Sequence, residues 1–296
     1  MSFFILLLLF FIGLAVGSFL NVLAVRYDPE RPIFSGPSLL GRSHCPHCGK
    51  TLSAFELIPL VSFLWQRGRC RGCRHSISSQ YFLVELFTGI YFVAVPLFLT
   101  SFYALTPKLA LHGGPFVFAA GLWILVGLTL LLMSLIDLRL MLIPDQLTVF
   151  IGLVGLVQVF FLRRYGLFGS FDGSFLGSAA GIFAFRENIF WNHILAALVG
   201  GGVFGLVWAL SRGRGMGFGD VKLAAALGFL FGWPDVLLIL MLAVVIGAGF
   251  GLGLIFSRKK GFRDGIPFGP FLALGAMLVF FWGETIFTGY LKFFGL

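Results

Sequence analysis

Long apolar runs separated by short polar joints fill most of the chain, at 3–25, 82–102, 116–136, 142–162, 193–210, 236–256 and 266–286. Each meets or approaches the roughly 20 apolar residues that cross a hydrocarbon core about 30 Å thick. A further run, 221–231, is shorter, and crosses only if it tilts or if the bilayer thins beside it. The pattern predicts an all-α polytopic membrane protein of about eight transmembrane helices. Composition agrees: 59% of the 296 residues are hydrophobic and 11% charged, against roughly 25% charged in a soluble domain. That excludes secreted disulfide scaffolds, disordered chains and free-standing nucleic-acid binders. The first run has neither a basic n-region nor a small-residue cleavage site, so it reads as a retained helix.

The net charge of +9 reads as topology, because cytoplasmic loops collect Lys and Arg; no nucleic-acid partner is expected. With the N-terminus outside, the inside segments hold most of the basic residues, from Arg26 through the Arg67–Arg74 cluster to Arg258, Lys259, Lys260 and Arg263. The outside segments hold Lys108, Arg163, Arg164, Arg186 and Lys292. The chain then divides into a first transmembrane helix (1–25), a soluble-looking cytoplasmic segment (26–80) between the first and second spans, and a seven-helix membrane core (81–296). The outside stretch 163–192 is irregular, and its Gly-rich part, 173–185, is too short to span and reads as interfacial or re-entrant. Asp172, Glu187 and Asp235 fall outside and read as solvated. No sequence repeat is present.

All four cysteines lie in the cytoplasmic segment, as Cys45-Pro46-His47-Cys48 and Cys70-Arg71-Gly72-Cys73, with 21 residues between the pairs. A reducing cytosol disfavours disulfides, whereas two C-x2-C knuckles supply the four thiolates of a tetrahedral zinc site. His44, His47 and His75 are substitute ligands, but four cysteines already close the site, which makes it structural. Gly49 and Gly72 suit the tight turns of such knuckles. Metal binding would supply folding free energy that so small a segment lacks. The arginines around the second knuckle, Arg67, Arg69, Arg71 and Arg74, suit the thiolate charge and anionic lipid headgroups.

Two acidic residues stand at span ends on the cytoplasmic side. Asp137 ends the third span in Ser134-Leu135-Ile136-Asp137, and Asp220 opens the sixth in Gly217-Phe218-Gly219-Asp220. Ionisable groups at such depth are costly and mark functional sites by default. Brought together, one carboxyl holds a proton while the other takes one from water, which then attacks a carbonyl. Gly217 and Gly219 would let an extended substrate strand approach the backbone. Asp220 at a helix N-terminus favours the dipole, and Asp137 at a C-terminus opposes it. Cation or substrate binding in a transporter uses the same residues, so both readings stand at this point. Asp145 reads as a helix cap, and Lys222 and Arg139 flank the pair.

Ordered blocks along most of the chain resemble the type IV prepilin peptidases, the GxGD-type membrane aspartyl proteases of the peptidase A24 family. They are Gly17-Ser18-Phe19-Leu20-Asn21-Val22 with Arg26, the double knuckle, and Ile77-Ser78 with Tyr81 and Val84-Glu85-Leu86. There follow Asp137 through Ile143-Pro144-Asp145, then Gly215-Met216-Gly217-Phe218-Gly219-Asp220-Val221-Lys222, and Pro267-Phe268-Gly269-Pro270-Phe271. The sequence departs from the family at Gln80-Tyr81-Phe82 and at the longer outside stretch near 171–192.

The resemblance implies cleavage of the leader of type IV prepilin-like precursors at the cytoplasmic face of the bacterial inner membrane, with Asp137 and Asp220 as the protease pair. It further implies methylation of the new N-terminal amine with S-adenosylmethionine. No G-x-G-x-x-G opens a strand–helix unit, so a soluble-type fold for that cofactor is unsupported. Asn21, Arg26 and Glu85 are the candidates for holding cofactor or amine, with Glu85 reading equally as a helix N-terminal acid. The rival readings are a peptidase alone, with the zinc segment as scaffold, and a transporter or scaffold whose aspartates bind cations. Gly201-x-x-x-Gly205 fits close helix packing in any of these.

Overall fold

The computed structural model describes residues 2–35, 41–104, 113–166, 174–177, 180–181, 188–258, 261 and 265–295. Lys108, Asp172, Arg186, Glu187, Lys259, Lys260, Arg263 and parts of 173–185 lie outside the described residues. The described residues form helices and no strand beyond two isolated bridges. They are α1 (Phe3–Arg26), α2 (Val61–Trp65), α3 (Ser79–Ala104), α4 (Gly114–Leu140), α5 (Asp145–Arg164), α6 (Ile189–Leu210), α7 (Phe218–Phe231), α8 (Asp235–Phe256) and α9 (Gly269–Phe293). Seven of them, all but α2 and α7, are long and apolar enough to cross a membrane. The chain is a multi-pass membrane protein. The expected short sixth run is a real helix, α7, of 14 residues. At 1.5 Å per residue it spans about 21 Å, below the thickness of the hydrocarbon core.

Two compact units divide the chain, Met1–Ser101 and Phe102–Leu296. In the first, α1 and α3 run antiparallel and close, because glycines meet at their crossing. A Cβ on Gly13 would stand 2.5 Å from the Thr88 carbonyl oxygen, and one on Gly89 2.6 Å from Leu14. Without side chains there, the helices gain the dense contact that drives association in lipid.

The second unit is organised around α7. Leu223, Ala224, Leu227, Leu230 and Phe231 are all buried, so α7 is sheathed by its neighbours rather than by lipid. Its approach to α6 is set by Gly200, where a Cβ would lie 2.5 Å from the Ala224 carbonyl oxygen, and by Gly228, where it would collide with the Ala196 carbonyl. Of the Gly201-x-x-x-Gly205 pair, Gly201 faces Ala225 closely and Gly205 makes ordinary contact with Val221.

A helix that ends inside the protein must have its last carbonyls satisfied there. His193 Nδ1 lies 2.7 Å from the Phe229 carbonyl, and Asn192 both donates to the Trp233 carbonyl and accepts its N–H, each at 3.0 Å. Asp235, expected to be solvated, is instead wholly buried. Its carboxylate accepts the Ser174 hydroxyl at 2.6 Å and the Phe175 N–H at 3.2 Å.

Of the two readings of the outside stretch this removes the interfacial one: its described residues 174–177 are tied into the helix bundle. The Phe175 ring joins Trp123, Phe231 and Phe280 in one cluster, with centroids 5.0 Å from Trp123 and 5.0 Å from Phe280. Burying that ring offsets the cost of bringing polar backbone into the bundle, since Asp235 satisfies that backbone.

Gly228→Ala is expected to force α6 and α7 apart and cost about 1–3 kcal/mol, as overpacking does. Gly202, with open space where a Cβ would go, is the control. A thermal melt of the detergent-purified protein should fall for Gly228→Ala and hold for Gly202→Ala.

Candidate functional site

Asp137 and Asp220 come from helix ends of opposite sense. Asp137 lies in the last turn of α4, and its carbonyl accepts the N–H of Met141, whose left-handed φ of 52° stops the helix. Asp220 is the third residue of α7, and its carboxylate accepts the N–H of Gly217, the N-cap, at 3.2 Å. Both side chains are buried, and they lie close enough to act on one another electrostatically.

The opposition of Asp137 to its own helix dipole is answered from elsewhere in the unit. Its Oδ2 accepts the Gly269 N–H at 2.9 Å, and Gly269 is the first residue of α9, followed by Pro270. The amide is one of the donors a helix N-terminus leaves unpaired, at the positive end of the dipole. Each carboxylate therefore has one oxygen fixed by a backbone N–H at a helix start. Ile143, on the α4–α5 joint, packs against both starts: a Cβ on Gly219 would lie 3.1 Å from the Ile143 Cβ, and one on Gly269 3.3 Å from its Cδ1. Such a Cβ on Gly269 would also stand 2.7 Å from Asp137 Oδ2.

Gly269 and Ile143 belong to the quoted blocks, but no role was read for either. A glycine followed by proline at the head of an apolar run is a helix-start signal; what the pattern lacks is any indication that this start faces Asp137.

Two expectations about neighbouring charges change. Asp145 is not a cap: Pro144 occupies that position and Asp145 is the first helical residue of α5. Its carboxylate pairs with Lys222 of α7, so Lys222 is directed at Asp145 and ties α5 to α7. Arg139, two residues past Asp137, is exposed.

In the first unit, the four cysteine sulfurs lie within 4.8 Å of one another, with Cys45 to Cys73 at 3.9 Å and Cys48 to Cys70 at 4.0 Å. Zinc bonded to four thiolates at about 2.3 Å sets sulfur–sulfur edges of about 3.8 Å, so the cysteines fit the ion. The two knuckles have the same backbone. Cys45 N–H bonds the Lys50 carbonyl and Cys70 N–H the His75 carbonyl, each at 2.9 Å. Bridges His44–Thr51 and Arg69–Ser76 close the two turns.

Gly49 takes the left-handed conformation (φ 69°) that its tight turn requires, and its counterpart in the second knuckle is Arg74 (φ 57°), not Gly72. Gly72 serves otherwise: its N–H points at Cys70 Sγ, 3.4 Å away. Amides of Cys73 and Gly72 hold the Cys70 thiol down, toward the thiolate a metal needs. At Cys73 the His75 amide is outweighed by burial and the three neighbouring sulfurs, which push that thiol up. Beside the knuckles, Glu56 accepts the Ser53 N–H and pairs with Lys50 at 3.1 Å. The Ser53 backbone bond first, and then Lys50, hold its carboxyl down to about 2.

Asn21, Arg26 and Glu85 all lie in this unit. Asn21 is wholly buried and gives its amide hydrogens to the Gly17 and Tyr81 carbonyls at 3.3 and 3.4 Å. Among the described residues its Oδ1 has no hydrogen-bond partner. Glu85 stands in the second turn of α3, past the first turn where a dipole role was expected, and accepts the Leu60 N–H at 2.8 Å. Arg26 donates to the Gly41 and Arg42 carbonyls. Asn21 thus donates from α1 to α3 and Glu85 accepts from the start of α2, while Arg26 braces the loop that leads to the knuckles.

Comparison with known families matches the first unit, at residues 11–99, to the bacterial peptidase A24 N-terminal domain, and residues 123–252 to the type IV leader peptidase family. A prepilin leader peptidase/N-methyltransferase of Aeromonas hydrophila is 36% identical, covering 96% of this chain and 93% of that protein. A protein of the same description from Pseudomonas aeruginosa is 33% identical over 96% and 92% of the two chains. One from Bacillus subtilis is 31% identical over 96% and 97%. No solved structure matches the chain.

Cys70→Ser is expected to drop bound zinc from one equivalent to a small fraction and to loosen the segment between α1 and α3. Metal analysis of the purified protein checks this, and unchanged zinc would remove the assignment.

Proposed function

The chain belongs to the type IV leader peptidase family, and on that premise we propose that it cleaves the leader of prepilin-like precursors through Asp137 and Asp220. The site faces the cytoplasm from the bacterial inner membrane, and the first unit methylates the amine that cleavage exposes. The observation that carries the cleavage reading is the burial of two carboxylates within mutual electrostatic reach, each with one oxygen tied to a helix-start amide. A second arrangement for binding cations would not need the pair to share a proton.

With one proton between them, the ionised carboxylate takes a proton from water and the oxygen attacks the scissile carbonyl. The protonated partner gives its proton to the carbonyl oxygen, and a carboxyl then protonates the departing amine. The proton belongs to the pair rather than to either residue. Gly269 and Gly217 amides fix the orientation of the two groups, which leaves the other oxygens for water and substrate. Gly217, the N-cap of α7, ends the loop along which an extended leader junction would lie, since it presents no side chain to it, whereas Gly219 is the second residue of the helix and faces Ile143.

For methylation, S-adenosylmethionine when bound supplies a methyl group on a sulfonium. Asn21 Oδ1, buried without a partner among the described residues, and the Glu85 carboxylate offer acceptor oxygens, and acceptors suit the amine of substrate or donor. The amine would give N–H bonds to them and keep its lone pair for the methyl carbon. The four cysteines leave no open coordination position, so zinc would hold the segment in shape and take no part in either reaction.

Asp137→Asn and Asp220→Asn should each reduce precursor cleavage by roughly a hundredfold or more, as loss of a positioned acid or base does. Mass spectrometry of the product from wild type should show a methylated N-terminus. Cleavage retained in either variant would return the aspartates to a cation-binding reading. Gly269→Ala, whose Cβ intrudes on Asp137, should cost on the order of tenfold to a hundredfold by misplacing one carboxylate. Gly249→Ala, in open space, should cost nothing.

A further inference from the structure

The segment between α1 and α3 is soluble-looking in composition, yet one of its faces is apolar and exposed. Val61, Leu64 and Trp65 of α2 are 55%, 63% and 77% exposed, and Phe55 just before it is 74% exposed. Positions 61, 64 and 65 share the i, i+3, i+4 face of a helix, so they form one stripe.

The opposite side of α2 is pinned. Phe63 packs on Phe82 with ring centroids 5.4 Å apart, and the Leu60 N–H is held by Glu85. Phe82 and Glu85 lie in the first two turns of α3, where that helix enters its membrane-spanning length. The stripe is therefore fixed at the level of the membrane surface.

The tethers agree. α1 and α3 are antiparallel, with Gly17 against Glu85 and Asn21 against Tyr81, so the ends at Arg26 and Ser79 leave the bilayer on the same face. Arg67, Arg69, Arg71 and Arg74, all exposed, follow the stripe directly.

We propose that Val61, Leu64 and Trp65 seat in the interfacial layer of the bilayer, with these arginines at anionic lipid headgroups. Indole is amphipathic and collects at this depth in membrane proteins, and arginines gain from the negative surface potential of anionic lipid. An apolar stripe at this height that met only water would forgo the burial that its side chains are suited to. The seating would hold the zinc segment at the height where a membrane-anchored precursor emerges.

The test uses the full chain in nanodiscs of phosphatidylcholine, with or without phosphatidylglycerol, carrying bromine high or deep in the acyl chains. Emission of Trp65 is obtained by subtracting Trp65→Phe from wild type, with zinc content confirming that the variant is folded. The expected Trp65 emission is blue-shifted from that of tryptophan in water and quenched about twofold more by shallow than by deep bromine, as befits the interfacial layer. Phosphatidylglycerol should strengthen the quenching, and an Arg67→Gln, Arg71→Gln double variant should lose that gain. Water-like emission without quenching would overturn the proposal. So would blue-shifted emission without quenching, which would mean that protein covers the stripe.

Discussion

A helix too short to span the bilayer can persist only if protein rather than lipid satisfies both of its ends, and much of the second unit follows from that constraint on α7. At one end Asn192 and His193 bond the carbonyls and turn that leave the helix, and Asp235 ties down the 174–177 segment beside it. At the other end the glycine N-cap leaves room for Asp220 to fold back on the Gly217 N–H. Glycines on the α6 face bring the two helices within backbone contact. The start of α7 and the end of α4 are brought near one another through Ile143, which packs on Gly219 and Gly269, and Asp220 comes within electrostatic reach of Asp137.

Two buried carboxylates repel one another, so their neighbourhood must offer compensation. Backbone supplies it. The first amide of α9 bonds Asp137 and the N-cap amide of α7 bonds Asp220, while the nearby cation, Lys222, is committed to Asp145. Fixed amides orient the acids without neutralising either, which suits a pair that must hold one proton between them. The first unit solves a different problem by different means. Its segment between α1 and α3 has little apolar interior, and two turns of the same backbone form bring four sulfurs to the spacing of a tetrahedral ion.

Most of the membrane architecture was legible in the sequence, because apolar runs of about 20 residues have few alternatives in a bilayer. So was the double knuckle, whose spacing alone specifies a four-thiolate site. The aspartates stood out as charges at span ends. What could not be read were the partners that chain-distant residues supply. The Gly269 amide lies 132 positions from the carboxylate that it holds. Asp235 looked solvated because it falls on the outside, away from the aspartate pair, and the hydroxyl and amide that bury it come from a Gly-rich stretch with no periodic signal. Asp145 carried a cap-like pattern, but its ion pair with Lys222 lies across two helices. Local pattern announces elements and valences, whereas burial and pairing are decided by tertiary approach.

The central claim is that Asp137 and Asp220 work as one proton-sharing pair. The most direct measurement is the single-turnover rate of precursor cleavage by the reconstituted protein as a function of pH. A pair active only when singly protonated gives a bell-shaped profile bounded by two apparent ionisations. A rate governed by one ionisation alone, rising or falling to a plateau across the range, would contradict the account.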